Sequence, residues 1–435
     1  MKKYLVLSLA LLLNACEQGT GPDGGQGTGS PTAAPVVTRL EVAPATLAVG
    51  SSATYTWSVD NAAASCALDI GGDGTPEYTV SCAAGGQTHV FAEPGSFAAV
   101  LTATAAGLST RAAAPPVTVA DGGTNTPPGG LSWEPTALPP YGVAEGQGVS
   151  LGGLLYVFGG FDSTFRCCRP TDRTFVFNPA DATWTPLAPL PPMNGTPYGG
   201  VTHAGFTTDG QDVFFAGGYT SNARNTAQLF STREVWRYNV AENSYDRLPD
   251  LPEARGAGQL EYLGGKLYYY GGSDASRRVD TGDLFILDLA NGAASWTEGA
   301  PLPNPRNHLG AAVLGGKIYA VGGQHEHDGR LVTQPDVHAY DPQTNRWQQL
   351  ADLPLAISHH SNSTFVMNGR VVVVGGEVGH LEGVADVFSY DPQADLWSEL
   401  TPLPLAMVDP VAENVGGQIV VAYNWRPQAF IGTLE

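Results

Sequence analysis

Acidic and imidazole side chains recur at one fixed distance before pairs of adjacent glycines in the last 300 or so residues. Glu145 and His308 stand fourteen residues before a pair, and Asp409 stands fourteen before Tyr423, where an aligned segment lacks the pair. Carboxylate and imidazole groups can donate and accept protons on one bound molecule. Glu145, His308 and Asp409 are therefore the candidate proton-transfer residues, if the protein has any catalytic activity.

A second set of polar residues stands sixteen positions before the glycine pairs. It contains Arg255, Arg306 and His359, and Tyr198 is the expected counterpart of this region in the second repeat. Guanidinium groups bind carboxylates through paired hydrogen bonds. The combined set of predicted ligand-binding residues is Arg255, Arg306, His308, His359, Glu145, Asp409 and Tyr198.

The glycine pairs belong to a longer repeat that must position these side chains. Each pair closes an apolar or aromatic run and is followed by an aromatic residue and then a Leu-Pro dipeptide, with a period of about 50 residues, which is typical of propeller blades. The pairs are 159–160, 217–218, 271–272, 322–323 and 375–376, and the aromatic residues are Trp184, Tyr245, Trp296, Trp347 and Trp397.

This pattern resembles the kelch motif over residues 133–435. The segment Gly416–Asn424 begins a further blade that has no tryptophan before the chain reaches Glu435, and Trp133 to Pro140 matches the missing outer strand. The sequence therefore predicts an all-β protein with a six-bladed kelch β-propeller closed by residues 133–140. The resemblance implies that residues fourteen and sixteen before each pair lie at one mouth of the central channel.

Residues 36–120 resemble the PKD-type immunoglobulin-like domain, a small β-sandwich used as a spacer or adhesive module. The resemblance rests on the Asp-Gly turn after Leu68 and the Pro-Gly corner before Phe97. Cys66 and Cys82 lie equally far from Gly74, so a hairpin turning there would place them opposite each other and allow a disulfide. Residues 121–132 form the predicted linker to the propeller.

Two further features could carry chemistry. Cys167 and Cys168 are adjacent, and in an oxidising compartment they either bond to each other or stay free. The four-residue spacing of Asp69, Asp73 and Glu77 could hold calcium, although Gly71 replaces an expected oxygen ligand and a plain polar turn is the alternative.

The N-terminal residues indicate export. Lys2 and Lys3 precede an apolar run, as in a signal peptide over residues 1–15. The run ends in Leu-Asn-Ala-Cys16, which resembles the lipobox of bacterial lipoproteins and implies lipidation of Cys16. Residues 16–35, rich in glycine, threonine and proline, form a predicted flexible tether. The expected location is the bacterial cell envelope facing outside the cytoplasm, at the outer membrane if the organism has one.

The composition fits this organisation. Among 435 residues, 55 are glycine and 33 are proline, and only 14% are charged, which favours strands and turns over long helices. The formal charge of −20 argues against nucleic acid as a partner, because phosphate binding needs clustered cations.

We therefore expect a monomeric, membrane-anchored binding protein whose propeller mouth recognises a glycan or a protein, with an anionic ligand favoured by the arginines. The alternative is a sugar mutarotase, by distant resemblance to the N-acetylneuraminate epimerase type of kelch protein. No cofactor is predicted.

Overall fold

The computed structural model describes residues 34–43, 46–48, 52–60, 65–72, 74–91, 95–105, 107–120, 130–165, 167–289, 295–327, 330–423 and 425–434. The predicted signal peptide, Cys16, most of the predicted tether, Asp73 and most of the predicted linker lie outside these residues. The described residues form strands and turns without an α-helix. Within them, no helix is long and apolar enough to cross a lipid bilayer.

The chain divides into two compact units, residues 1–122 and 123–435. The first unit contains three small sheets around an apolar core that includes Tyr55, Trp57, Leu68 and Leu101. In spatial order, their strands are Val36–Ala43, Ser52–Asp60 and Gly85–Val90; Tyr78–Val80, Ser65–Asp69, Val100–Ala105 and Leu108–Ala113; and Thr46–Ala48, Val117–Ala120 and Gly95–Phe97.

Cys66 and Cys82 are bonded, with their Cα atoms 5.3 Å apart. The predicted register was nevertheless wrong, because Cys66 lies opposite Val80 and the bond reaches two residues beyond the paired position. The turn between these strands is held by a carboxylate. Asp69 accepts backbone N–H bonds from Gly72 and Gly74 at 2.7 and 2.8 Å, and Glu77 accepts one from Ile70 at 2.7 Å. These contacts are those of a polar turn.

The second unit is built from six four-stranded antiparallel sheets among its described residues. From the innermost to the outermost strand, sheet 1 contains Gln147–Leu151, Leu154–Phe158, Thr174–Asn178 and Thr183–Pro186; sheet 2 contains Gly205–Thr208, Val213–Ala216, Val235–Asn239 and Ser244–Leu248; sheet 3 contains Gln259–Leu263, Lys266–Tyr270, Leu284–Asp288 and Thr297–Glu298; sheet 4 contains Gly310–Leu314, Lys317–Val321, Val337–Asp341 and Arg346–Gln349; sheet 5 contains Thr364–Met367, Arg370–Val374, Val387–Asp391 and Leu396–Glu399; and sheet 6 contains Val411–Val415, Gln418–Ala422, Ala429–Leu434 and Leu131–Pro135.

The sheets close into a ring. Their innermost strands contact one another in cyclic order, and sheet 6 returns to sheet 1. An apolar cluster fills each gap between neighbouring sheets. Between sheets 1 and 2, for example, the Phe158 and Phe206 rings lie 5.2 Å apart. Because strands alternate their faces, each sheet contributes side chains to the clusters on both of its sides. This arrangement is a β-propeller.

Short hairpins lie between the second and third strands of several sheets and extend one end of the ring. The strands of these hairpins and of the segments that pair with them are Val143–Ala144 with Phe161–Asp162; Val201–Thr202, Tyr219–Ser221 and Gln228–Leu229; Gln324–His325 with Val332–Thr333; and Glu377–Gly379 with Glu382–Gly383.

The outermost strand of each sheet is tied to the segment before its neighbour. The indole N–H of Trp184 donates to the Ala137 carbonyl at 2.9 Å, and that of Trp397 donates to the Ala351 carbonyl at 2.9 Å. In sheet 6 this place is taken by Trp133, which comes from the other end of the chain and donates to Thr401 at 3.1 Å. Leu131–Pro135 pairs antiparallel with Ala429–Leu434, so the first strand of the unit completes its last sheet.

Replacing Trp133 should therefore weaken the whole ring. We expect Trp133→Ala to lower the free energy of unfolding by about 2–3 kcal/mol, because it removes an indole packed against the last apolar cluster. Leu138→Ala is the matched control, since Leu138 lies five residues further on and is 58% exposed. Chemical denaturation of both variants measures the difference, and equal stabilities would contradict closure through this strand.

Candidate functional site

Adjacent glycines at the end of each second strand set the geometry of one end of the ring. The second glycine donates its N–H to a carbonyl in the next sheet, immediately before that sheet's inner strand, at 2.8–3.1 Å. The five carbonyls belong to Val201, Arg255, Arg306, Ile357 and Met407. Gly159 shows why a side chain is excluded, because a Cβ there would lie 2.2 Å from the Val201 oxygen and its φ is +59°.

The residues just before the six inner strands, here called the mouth segments, are 143–146, 201–204, 255–258, 306–309, 357–363 and 407–410. In the last five, the residue two positions after the glycine-bound carbonyl is His203, Ala257, His308, His359 or Asp409. Ala257 donates its N–H to the His203 carbonyl at 2.7 Å, His308 to Ala257 at 2.9 Å and His359 to His308 at 3.1 Å. The mouth segments are thus linked backbone to backbone around the axis.

These residues open into one cavity of about 430 Å³. Its lining combines mouth-segment residues with residues of the loops that follow the glycine pairs. The lining residues are Ala144, Glu145, Phe161, Cys167, Cys168, His203, Gln228, Arg277, His308, Gln324, His327, His359, Glu377, His380, Leu381, Val408, Asp409 and Trp425. The predicted proton-transfer residues Glu145, His308 and Asp409 therefore converge on the same cavity.

Glu145 lies between two imidazole groups. Its Oε1 is 3.4 Å from His203 Nε2 and 3.3 Å from His359 Nε2. Burial alone would raise the pKa of Glu145, but the charges of His203 and His359 outweigh it and lower the pKa to about 2. Burial likewise acts to lower the pKa of His359, and the Glu145 and Glu377 carboxylates raise it to about 9. At neutral pH, Glu145 is an anion beside a protonated His359.

Asp409 and His308 have the opposite protonation tendencies. Burial, together with the charge of Glu145, raises the pKa of Asp409 well above its usual range. One Asp409 oxygen accepts the backbone N–H of Glu145. Burial and the neighbouring His359 and His203 lower the pKa of His308 well below its usual range. The cavity therefore presents a neutral carboxylic acid and a neutral imidazole close to an ion pair, so both proton donors and acceptors are available.

Arg306 does not belong to this site, and its prediction as a ligand-binding residue was wrong. Its side chain is fully buried, and its guanidinium donates to the carbonyls of Gly322, Pro303, Asn304, Ala320 and Asp336 at 2.6–3.3 Å. The residue whose carbonyl binds the glycine pair turns its side chain into the body of the sheet. Arginine here satisfies backbone carbonyls that would otherwise be buried without donors.

Three other expectations need correction. Arg255 is buried and pairs with Glu253 and Asp283, and it does not line the cavity. Tyr198 also lies outside the lining, and the second sheet contributes His203 instead. His359 lines the cavity but stands level with His308 rather than with the arginines. The fifth mouth segment has two extra residues, which a turn from His360 to Ser363 accommodates.

Two site residues escaped the sequence analysis. His203 stands fourteen residues before Gly217, so the same count that selected Glu145 also selects it. Glu377 directly follows a glycine pair, and Phe161 and Gln324 at the equivalent position also line the cavity. The residue after each pair was therefore a second usable signal. Cys167 and Cys168 also line the cavity and are bonded to each other.

A separate cavity of about 230 Å³ lies among the inner strands. It contains Glu261 and Glu413, whose carboxyl groups come from sheets 3 and 6. Burial raises the pKa of Glu261 to about 8, and burial together with the charge of Glu261 raises that of Glu413 well above its usual range. This part of the channel holds neutral acids, in contrast to the ion pair at the mouth.

Comparison with known proteins identifies the repeats that form the ring. Residues 231–410 match the KLHDC2/KLHL20/DRC7 Kelch-repeats domain, and residues 148–191 match the Kelch motif. The chain is a kelch-repeat protein. It is 27% identical over 254 residues to a kelch-like protein of Aspergillus terreus, covering 57% of this chain and 52% of the relative.

Other kelch proteins show similar partial matches. A kelch repeat-containing protein of Arabidopsis thaliana is 25% identical over 269 residues, covering 57% of this chain and 58% of the relative. Kelch domain-containing protein 3 of Mus musculus is 27% identical over 247 residues, covering 52% and 62%. The chain thus spans about half the length of the curated relatives it matches first, and the kelch repeats are the shared part.

The structural role of Arg306 in this kelch repeat can be measured. Arg306→Ala should lower the free energy of unfolding by about 3–5 kcal/mol, because it leaves several buried carbonyls without their donor. Arg346→Ala is the control, since Arg346 is exposed on an outer strand, and it should change stability by less than about 0.5 kcal/mol. If Arg306→Ala unfolds at the wild-type denaturant concentration, the carbonyl contacts do not stabilise the repeat.

Proposed function

We propose that the kelch repeats form a six-bladed propeller that binds a ligand at its mouth, and that the protein acts by recognition. The observation that carries the proposal is the convergence of mouth segments and loops from all around the ring on one cavity of about 430 Å³. A cavity of that size accommodates one end group of a larger partner, such as a sugar unit of a glycan or a side chain of a protein.

The side chains of the cavity favour a polar, hydrogen-bonding ligand. Glu145 and His359 supply charged partners, and Asp409 and His308 supply neutral ones. Phe161 and the 42% exposed Trp425 add apolar surface against which a sugar ring or an aliphatic side chain can pack. With Arg255 and Arg306 directed elsewhere, the two residues that favoured an anion no longer support that choice.

A second candidate is proton transfer on a reducing sugar, the mutarotase alternative. Opening a sugar ring requires a donor at the ring oxygen and an acceptor at the anomeric hydroxyl. Protonated Asp409 could donate, and neutral His308 or the Glu145 carboxylate could accept. Convergence of these three residues on one cavity is the observation that keeps this candidate, and catalysis would need the same pocket that binding needs.

One experiment separates the two candidates. The full chain is screened against a glycan array and a peptide library, and anomer exchange of any bound reducing sugar is followed by NMR. Glu145→Gln and His308→Ala should each weaken binding at least about 10-fold, the worth of one charge-assisted hydrogen bond. Lys317→Ala, in the hairpin at the opposite end of sheet 4, is the control and should bind normally.

The outcomes are distinct. Binding without accelerated anomer exchange supports recognition, and accelerated exchange that is lost in Asp409→Asn supports catalysis. Equal losses from Lys317→Ala and His308→Ala would contradict the mouth as the site.

The proposal also includes the N-terminal part of the chain. Residues 36–120 would act as a PKD-type spacer, and lipid on Cys16 would hold the protein at the membrane, with residues 1–15 removed. Support comes from Lys2 and Lys3, the apolar run and the Leu-Asn-Ala-Cys ending. Two or more acyl chains at one cysteine give stable attachment without a spanning helix.

The anchor is tested by changing its only thiol. Cys16→Ser should release the protein into the soluble fraction or leave its precursor uncleaved. Gln18→Ser, two residues further on, is the matched control and should stay in the membrane fraction. A Cys16→Ser protein that is still cleaved and still partitions into detergent would exclude lipidation at this position.

A further inference from the structure

We propose that Glu145, His308 and His359 form a binding site for Zn²⁺ at the floor of the mouth cavity. The inference goes beyond the proposed function, because a metal site can exist whichever partner the propeller binds. Among the described residues, these three form the one group of histidine, cysteine or acidic side chains whose ligand atoms all lie close enough to share an ion, within 4.8 Å of one another.

The distances approach those of a zinc centre. Zinc binds imidazole nitrogen and carboxylate oxygen at about 2.0–2.2 Å, so neighbouring ligand atoms of a tetrahedral site lie about 3.3 Å apart. Glu145 Oε1 is already 3.3 Å from His359 Nε2. A small rotation of His308, whose ring stacks on His359 with centroids 4.1 Å apart, brings the third ligand atom into range.

The outer contacts of the two histidines match those of metal-binding histidines. Such a histidine almost always donates its second ring N–H to a carboxylate or another oxygen, which fixes the orientation of the ring. His359 Nδ1 lies 2.8 Å from Glu377 Oε1 and 3.0 Å from the Ser358 hydroxyl. His308 Nδ1 contacts the Asn307 side-chain oxygen.

The position of the proton on His308 follows from Asn307. The Asn307 side-chain nitrogen donates to Asp280 and to the Glu326 carbonyl, so its oxygen must face His308 as an acceptor. His308 therefore carries its proton on Nδ1, and the lone pair of Nε2 is free to bind a metal. Burial keeps the pKa of this imidazole low, which favours the neutral form that ligates.

Binding would exchange a proton for the ion. In the apo protein His359 Nε2 shares its proton with Glu145, and Zn²⁺ would take the place of that proton while the proton leaves to solvent. His203 Nε2, 3.4 Å from the same Glu145 oxygen, holds the carboxylate from the other side. Three protein ligands leave a fourth position directed at the cavity, as in sites where zinc also contacts an exogenous molecule.

The donor set selects the class of metal. Imidazole nitrogens suit zinc and the neighbouring transition ions, whereas calcium and magnesium require mainly oxygen ligands in larger number. A site with two imidazoles and one carboxylate should therefore discriminate strongly against Mg²⁺.

The test uses the full chain without a polyhistidine tag, stripped with EDTA, dialysed and titrated calorimetrically with ZnCl₂ and with MgCl₂. We expect one Zn²⁺ per chain and no saturable heat with Mg²⁺. His308→Ala and His359→Ala should each weaken Zn²⁺ binding by at least about 100-fold, and Asn307→Ala by about 10- to 100-fold. His380→Ala, an exposed residue of the same cavity rim, is the matched control and should bind within about twofold of wild type.

Unchanged Zn²⁺ affinity in His308→Ala and His359→Ala, or the absence of a saturable site in the wild type, would overturn the proposal. Because either variant could fail to fold, wild-type crystals soaked in ZnCl₂ provide a second measurement. An anomalous peak between Glu145, His308 and His359 supports the site, and a peak elsewhere or none overturns it. The ligand screen is run in EDTA, so failure of the zinc site and failure of ligand binding are separate results.

Discussion

The close backbone contact at each glycine pair is the constraint on which the ring and its mouth depend. It allows one sheet to hydrogen-bond directly to the segment that leads into the next, at 2.8–3.1 Å. Two positions after the bound carbonyl, the chain reaches the axis with a side chain whose height is fixed. A Cβ at Gly159 would occupy the space of the Val201 oxygen, so substitution there would displace His203 as well as weaken the contact between sheets. The same feature therefore serves packing and places the polar residues of the mouth.

The fold could be predicted largely from residues with one structural role. The glycine pairs and the outer-strand aromatics repeat because every sheet makes the same contacts, and the Trp133 segment stood out because it lacked a preceding repeat. The register between Cys66 and Val80 could not be predicted in this way, since a shift of two residues preserves the alternation of faces and still permits the disulfide. Strand pairing of this kind is decided by the turn, here held by Asp69.

The site was less predictable because equal spacing marks structural repetition as readily as function. Arg255 and Arg306 recur at one distance from their glycine pairs because their carbonyls bind those pairs, and their side chains go into the sheets. Glu145, His308 and Asp409 recur two residues later, where side chains reach the cavity. The difference between the two positions depends on how the backbone turns at the mouth, with φ between 49° and 56° at Glu145, His203, Ala257, His308 and His359. The sequence pattern contains no measure of that turn.

The mouth concentrates charge where burial makes charge costly. Glu145 is kept ionised only because His203 and His359 lie against it, and the same carboxylate helps to keep Asp409 protonated. Apolar residues at these positions would pack without the desolvation penalty that buried ion pairs carry. Arg306 shows that the fold can bury a cation for structural reasons, but its partners are backbone carbonyls of its own repeat. Glu145, His308 and His359 instead come from three different sheets and meet only at the axis, beside a cavity, which is the placement expected of groups maintained for a ligand rather than for the repeat.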